Sequence, residues 1–515
     1  MIFGASNRLG LTLREQLFKK YSSMSPSFFG KRRTGDLMAH ATNDINAVQM
    51  TAGAGILTIA DSVITGGAVL ITMALTVSPK LTLIAMIPLP FMVILTSWYG
   101  TILSRLFRVA QAAFSSLNDK TQESIAGIKV TKTFGYENED LKDFADLSDD
   151  VVNKNLKVAK VDALFDPTIT AIIAISYFLS IFFGARMVIA DEITLGQLVT
   201  FTTYLGMMVW PLLALGWFFN LIERGKASYE RIEDIMNTAS DIDDAVTTGR
   251  LPSGNITFDI DRFAFPGEDE VSLSDIHFTL KEGETLGIVG HTGSGKSSLI
   301  RLLLREFDTA DNNTVRVNDI DIKQYDIKKL RHLFGYVPQD NFLFSTSIKN
   351  NIAFTDPDIN IEAVYRAADL SYIHEDILSF PEGYETVVGE RGVSLSGGQK
   401  QRISIARALI QDPEILILDD SLSAVDAETE TAILKNIEEN RSGKTNIITA
   451  HRMSAVRNAD LILVMENGRI IERGTHESLT QDQGWYYDTF KAQSLRQHLV
   501  KDLDETLERG DRNDS

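Results

Sequence analysis

The segment 285–301 reads TLGIVGHTGSGKSSLIR. A β-prone run over 285–289 leads into Gly290, His291, Thr292, Gly293, Ser294, Gly295, Lys296, Ser297 and Ser298, and a helical pattern follows. Strand, glycine-rich loop and helix in that order make a phosphate cradle. The glycines let backbone N–H groups close around phosphate oxygens, and the helix N-terminus adds partial positive charge. In such a cradle Lys296 reaches the β- and γ-phosphates and the Ser297 hydroxyl ligates Mg²⁺. A second apolar run, Ile415, Leu416, Ile417 and Leu418, ends in Asp419 and Asp420. A carboxylate at the tip of a buried strand holds Mg²⁺ in P-loop nucleotide hydrolases, and Asp419 is the candidate. Taken alone, that aspartate reads equally well as an acidic cap on a core strand. Between the two lies Leu395, Ser396, Gly397, Gly398 and Gln399, opening a helical run over 400–410. This is another anion-binding helix terminus, or in isolation a flexible turn.

The elements around these residues fall into two unlike halves. Residues 1–222 hold 18 Lys+Arg against 17 Asp+Glu, and the remainder 32 against 52, so nearly all of the net charge of −19 lies in the C-terminal part. That balance argues against nucleic acid as a partner, because phosphate neutralisation needs a basic surface. The 515 residues include no cysteine, which excludes disulfides, thiolate catalysis, zinc–thiolate sites and Cys-ligated iron–sulfur clusters. Residues 62–79, 81–104, 167–185 and 193–222 carry no charge. A bilayer core of about 30 Å needs roughly 20 apolar residues per helix. Four membrane helices are therefore expected, near 56–78, 81–101, 164–186 and 197–220. The long flanking segments 1–44 and 105–160 carry seven and nine Lys/Arg and the short intervening loops one each. The positive-inside rule makes the long segments cytoplasmic, and an even number of spans keeps the acidic C-terminal part there too.

The expected organisation is a membrane domain over 1–236, with cytoplasmic helical extensions at 1–50 and 102–163. A polar linker follows over 237–254, then an α/β P-loop ATPase domain over 255–495 and a disordered acidic tail over 496–515.

The P-loop, the aspartate-tipped strand and the Ser396–Gln399 turn together resemble the ATP-binding cassette (ABC) family. The fold that follows is an all-α multi-pass membrane domain joined to a cytoplasmic α/β ATPase of the ABC type. The resemblance runs along the chain to about residue 495 and is with half-transporters of the exporter class, specifically bacterial heterodimeric multidrug exporters. It implies ATP and Mg²⁺ as cofactors. It makes Gln339, in Tyr336-Val337-Pro338-Gln339, the glutamine that touches Mg²⁺ and the attacking water, and His451 the switch histidine at the γ-phosphate. Ser423-Ala424-Val425-Asp426 resembles the D-loop, residues 386–392 the short loop before the signature, and Leu395 to Gln399 the signature that completes a partner's ATP site. Phe265 stands where the family has an adenine-stacking tyrosine, and its ring keeps a π-face. His291 occupies a variable position of the P-loop and reads as incidental. Residues 34–38 and 128–137 fall where the family places its coupling helices.

Two departures from the family pattern matter. The family half has six membrane helices and four are visible here, so the resemblance implies that two are missing from the N-terminus. Asp420 stands where the family usually has a glutamate that serves as general base or orients the attacking water. Its carboxylate is one methylene short, and a positioning error of that size costs about 10²-fold. The resemblance then implies ATP-driven export of hydrophobic, amphipathic compounds across the cell membrane by one half of a heterodimer, a homodimer being the lesser option. This chain supplies a slow site of its own and an intact signature for its partner's. Export of a lipid or peptide remains an alternative, as does a regulatory ATP-binding half with little hydrolysis. In the last expected span Phe201, Tyr204, Met207, Met208, Trp210, Trp217, Phe218 and Phe219 line a substrate path or pack against neighbours. Asp61 is an intramembrane acid or an interfacial anchor.

Overall fold

Charge-free runs that cannot satisfy their backbone in lipid except as helices dictate the first half of the chain. The computed structural model describes residues 2–242, 248, 252–268, 270–356, 358–389 and 394–496. Residues 243–247 and 249–251 of the expected linker, the end of the loop at 386–392 and nearly all of the expected tail lie outside the described residues. The chain divides into two units: residues 1–23 with 33–238, and residues 24–32 with 239–515. The short helix Pro26–Gly30 thus groups with the C-terminal unit.

In the first unit four helices are long and apolar enough to cross a membrane: Thr34–Thr76, Pro79–Ala126, Glu137–Ile189 and Leu195–Asn237. At 43 to 53 residues they run well past a bilayer, because about 20 residues suffice to span it. The chain turns between them at punctuation that the sequence carries. Ser78 caps the second helix with Pro79 at its first position, and Thr194 and Gln197 form a reciprocal capping box at the fourth. Gly135, at φ +63°, closes the short helix Ile128–Phe134 in the left-handed region. The second span is not continuous. Its helix pauses between Met86 and Leu89, where Pro88 and Pro90 remove two N–H donors. By contrast Pro167 and Pro211 lie inside unbroken helices. Small residues let the helices close up: a methyl group at Gly225 would overlap Thr51, and one at Gly184 would overlap Leu198. Val69, Met73, Leu81, Leu89, Phe201 and Leu205 form a buried apolar cluster near the short turns. Toward the charged segments, Asp44 takes both a 3.1 Å bond from Arg231 Nε and a second bond from Nη2, with His40 Nδ1 at 2.7 Å.

The second unit is a two-sheet α/β domain. Strands β1 (Ile256–Phe263), β2 (Leu273–Leu280), β4 (Val315–Val317) and β5 (Ile320–Asp321) form an antiparallel sheet in the order β2-β1-β4-β5. Strands β3 (Thr285–Gly290), β6 (Phe334–Val337), β7 (Ile415–Asp419), β8 (Thr445–Ala450), β9 (Leu461–Glu466) and β10 (Arg469–Gly474) form the main sheet in the order β10-β9-β3-β8-β7-β6. All its pairings are parallel except β10 with β9. Every residue of β7 and β8 is buried, as expected for strands covered on both faces. Parallel neighbours end at the same edge, so the loops after β3, β6, β7 and β8 meet there. In open α/β sheets ligands bind at that carboxyl edge.

Candidate nucleotide site

The loop after β3 depends on backbone conformations that only glycine adopts at low cost. Gly290, Gly293 and Gly295 have φ of +149°, +82° and +100°. A side chain at Gly290 would overlap the Met465 carbonyl oxygen. The helix Lys296–Leu303 starts directly after Gly295, so its free N–H groups face the loop. The Lys296 ammonium lies in the cradle, donating at 2.9 Å to each of the Gly290 and His291 carbonyl oxygens. Burial pushes its pKa down, while Asp420 and Asp419 pull it back up.

The other carboxyl-edge loops complete a cleft of about 410 Å³. Thr292, Gly293, Ser294, Gly295, Lys296, Ser297 and Ser298 line it, together with Phe265, Gln339, Asp419, Asp420 and His451. Asp419 accepts from Ser297 Oγ at 3.2 Å and from Thr449 Oγ1 at 2.7 Å, and the Tyr336 hydroxyl stands 3.5 Å away. Burial, reinforced by the Asp419 charge, pushes the Tyr336 phenol up and keeps it a donor. Asp420 has φ +48°, and its N–H is held by the Thr449 carbonyl at 3.1 Å and the Thr449 hydroxyl at 2.9 Å. Its Oδ2 is 3.4 Å from Gln339 Nε2 and 3.9 Å from His451 Nε2. Burial raises the Asp420 carboxyl above its ordinary value, against the pull of His451 and Lys296. Phe265 meets Phe263 and Phe307 edge-on at 5.2 and 5.0 Å, and the Arg301 guanidinium lies 5.3 Å from its ring centre.

Other sequence-derived positions lie elsewhere. None of Leu395, Ser396, Gly397, Gly398 and Gln399 lines the cleft. Ser396 caps the helix Gly397–Leu409 in a capping box: its hydroxyl accepts from Gln399 N–H at 3.2 Å, and Gln399 Oε1 accepts from Ser396 N–H at 3.0 Å. Asp426 caps the helix Ala427–Asn440, accepting from the N–H groups of Glu428 and Thr429 at 3.1 and 2.9 Å. Those backbone bonds hold its carboxyl below the ordinary range. The His291 side chain faces Trp485, whose indole N–H donates to it at 3.1 Å. Thr449 escaped the sequence reading, since nothing distinguishes one threonine in a buried strand from a packing residue.

The first unit has its own cavity of about 650 Å³, lined among others by Asp61, Tyr99, Asp162, Phe165, Trp210 and Trp217. Of the aromatic and methionine residues in the last span, only the two tryptophans line it. Phe201 and Met208 are buried in helix packing.

Comparison with known proteins agrees with these two halves. The family described as "ABC transporter transmembrane region" matches residues 2–212, and that described as "ABC transporter" matches residues 273–423. The chain is 46% identical over 495 residues to the probable multidrug resistance ABC transporter ATP-binding/permease protein YheI of Bacillus subtilis (strain 168), covering 96% of this chain and 84% of that one. It is 46% identical over 499 residues to the multidrug resistance-like ATP-binding protein MdlA of Escherichia coli (strain K12), covering 97% and 84%. A more distant relative, at 33% identity over 95% of this chain and 81% of its own, is an ATP-dependent lipid A-core flippase of Shewanella sp. (strain MR-4). Among solved structures, a bacterial Atm1-family ABC exporter with ATP bound superposes with a TM-score of 0.80 at 28% identity, covering 95% of this chain and 86% of that one. A helical membrane domain, a phosphate cradle at the carboxyl edge of an α/β sheet and relatives matched over most of their length place this chain in the ABC transporter family, as a membrane exporter with a cytoplasmic ATP-binding domain.

Proposed function

We propose that the chain is one half of a heterodimeric exporter of amphipathic, hydrophobic compounds, whose own ATP site binds nucleotide and turns it over slowly. The observation that carries this reading is Asp420. It points into the cleft beside Gln339 and His451, yet its carboxylate stops 3.4 and 3.9 Å from them. In this reading ATP stacks on Phe265 and lays its phosphates along residues 290–298. Gln339 and Asp420 orient the attacking water, and His451 contacts the γ-phosphate. The donors at Asp419 fit Mg²⁺: a serine hydroxyl 3.2 Å from a carboxylate, with the Gln339 amide lining the same cleft, offers hard oxygen ligands and leaves room for phosphate and water. When bound, Mg²⁺ spreads the charge of the transferring phosphoryl group.

Ser396 to Gln399 lie outside the chain's own cleft, which supports a second half-transporter that receives this signature and supplies the catalytic glutamate. ATP then acts by binding the closed pair better than the open one, which biases the membrane path outward. The cavity in the membrane unit favours a drug-like cargo over the lipid A suggested by the more distant relative. Asp61 and Asp162 on its wall repel an anionic headgroup and attract a cation among aromatic rings. The test is ATP hydrolysis by the full chain reconstituted alone and with a candidate second half. Hydrolysis by the chain alone as fast as by the mixed pair would refute the heterodimer.

A further inference from the structure

The helical residues 485–496 touch two neighbouring loops that line the nucleotide cleft, those after β3 and β8. At the first the Trp485 indole N–H donates to His291 Nε2 at 3.1 Å, and the two rings meet edge-on at 5.2 Å. Trp485 is itself fixed. Its backbone N–H and that of Tyr486 both donate to the Glu472 carboxylate, which closes in because residue 484 is glycine and any side chain there would overlap it. Tyr486 is fully buried, with its hydroxyl 2.8 Å from His476 Nδ1. Two turns further on, about 12 Å along the helix, Gln493 grips the loop after β8. Its amide donates to the His451 carbonyl oxygen at 2.8 Å and accepts from the Met453 N–H at 2.9 Å. One helical segment therefore holds both the second residue of the P-loop and the main chain of the neighbouring histidine.

We propose that Trp485 and Gln493 are positioning residues of the ATP site, Trp485 setting the P-loop through His291 and Gln493 setting the main chain at His451. The two arms act on different phosphates. A P-loop cradles the α- and β-phosphates with backbone N–H groups, so the Trp485 arm governs ATP and ADP alike. The Gln493 arm rests on the reading of His451 as the γ-phosphate contact, and so governs ATP alone.

The test measures apparent affinity for ATP and for ADP, by photo-crosslinking of azido analogues to this subunit in the membrane-embedded full chain. Trp485→Phe keeps the ring and deletes the donor; His291→Ala deletes the acceptor. Each is expected to weaken ATP and ADP equally, by about three- to tenfold, the worth of one neutral hydrogen bond. The double variant should be no weaker than either single. Gln493→Glu keeps the acceptor for Met453 and loses the donor to His451. It is expected to weaken ATP several-fold and leave ADP unchanged. A generally loosened domain would instead lower both nucleotides in every variant, and that result overturns the proposal. So does additive loss in the double variant. If His451→Ala weakens ATP and Gln493→Glu does not, the Gln493 arm is wrong; if neither does, the γ-phosphate reading of His451 is wrong and that arm falls with it.

Discussion

If the ATP site turns over slowly as proposed, lengthening Asp420 by one methylene should speed it up. In the structure Asp420 Oδ2 is 3.4 Å from Gln339 Nε2 and 3.9 Å from His451 Nε2. A base at 420 takes its proton from the water held beside these groups, and transfer wants heavy atoms about 2.6–3.2 Å apart. One more carbon–carbon bond carries the carboxylate about 1.5 Å further into the cleft, enough to close the shortfall. Misplacement on this scale is worth about 10²-fold. Part of the gain is offset by the backbone. Residue 420 sits at φ +48°, a region that aspartate tolerates better than glutamate. Asp420→Glu is therefore expected to raise turnover at this site by about 10- to 10²-fold, or ~1.4–2.7 kcal/mol of barrier. The assay is single-turnover hydrolysis in the assembled exporter with the partner's catalytic glutamate neutralised, so that only this site reports. A rate within twofold of the unsubstituted chain would refute the reach argument.

Three further outcomes follow from particular side chains. Burial raises the Asp420 carboxyl, so its contribution to stability is fully present below the ordinary carboxylate range and is lost as pH rises through the raised value. Asp420→Asn should match the parent in thermal melts below about pH 4 and become the more stable of the two as pH rises toward neutral. Arg231→Met leaves the nearly buried Asp44 with His40 and Ser228; because Arg231 is half exposed, the cost should be about 2 kcal/mol rather than the ~3–5 of a fully buried pair, read as a lowered melting temperature. Asp61→Asn should slow efflux of a cationic aromatic dye several-fold and leave that of a neutral analogue unchanged, and equal effects on both would count against the charge argument.

The parts of this molecule that the sequence reveals are those where chemistry restricts the choice of residue. A phosphate cradle needs glycine at positive φ, which is why residues 290–295 stand out. A strand buried on both faces needs an unbroken apolar run, which marks 415–418. Charge-free runs mark the membrane helices for the same reason. What stayed hidden depends on separation in the chain or on tolerance. The pause between Met86 and Leu89 was hidden in a run apolar throughout, whereas Pro167 was absorbed without a break. Phe201 and Met208 look like cavity residues on a helical projection, but neighbouring helices cover them. The contact between His291 and Trp485 joins residues 194 apart, and no local pattern announces it.

Among the described residues, the turn from Ser396 to Gln399 does not line the cleft described above. The residues proposed to hold the phosphates come from the carboxyl edge of the main sheet, with the loop between β1 and β2 beside them, and the Ser396–Gln399 turn caps a helix elsewhere. Nucleotide held by such a half-site is sealed only when the second subunit's signature closes on it, so in the exporter proposed here occlusion is a closure within a standing pair. Its rate is then first order and independent of the number of subunits per unit area of membrane. Thinning the protein in the bilayer with added lipid should therefore leave the lifetime of trapped ATP unchanged while bulk ATP, pH and temperature stay fixed.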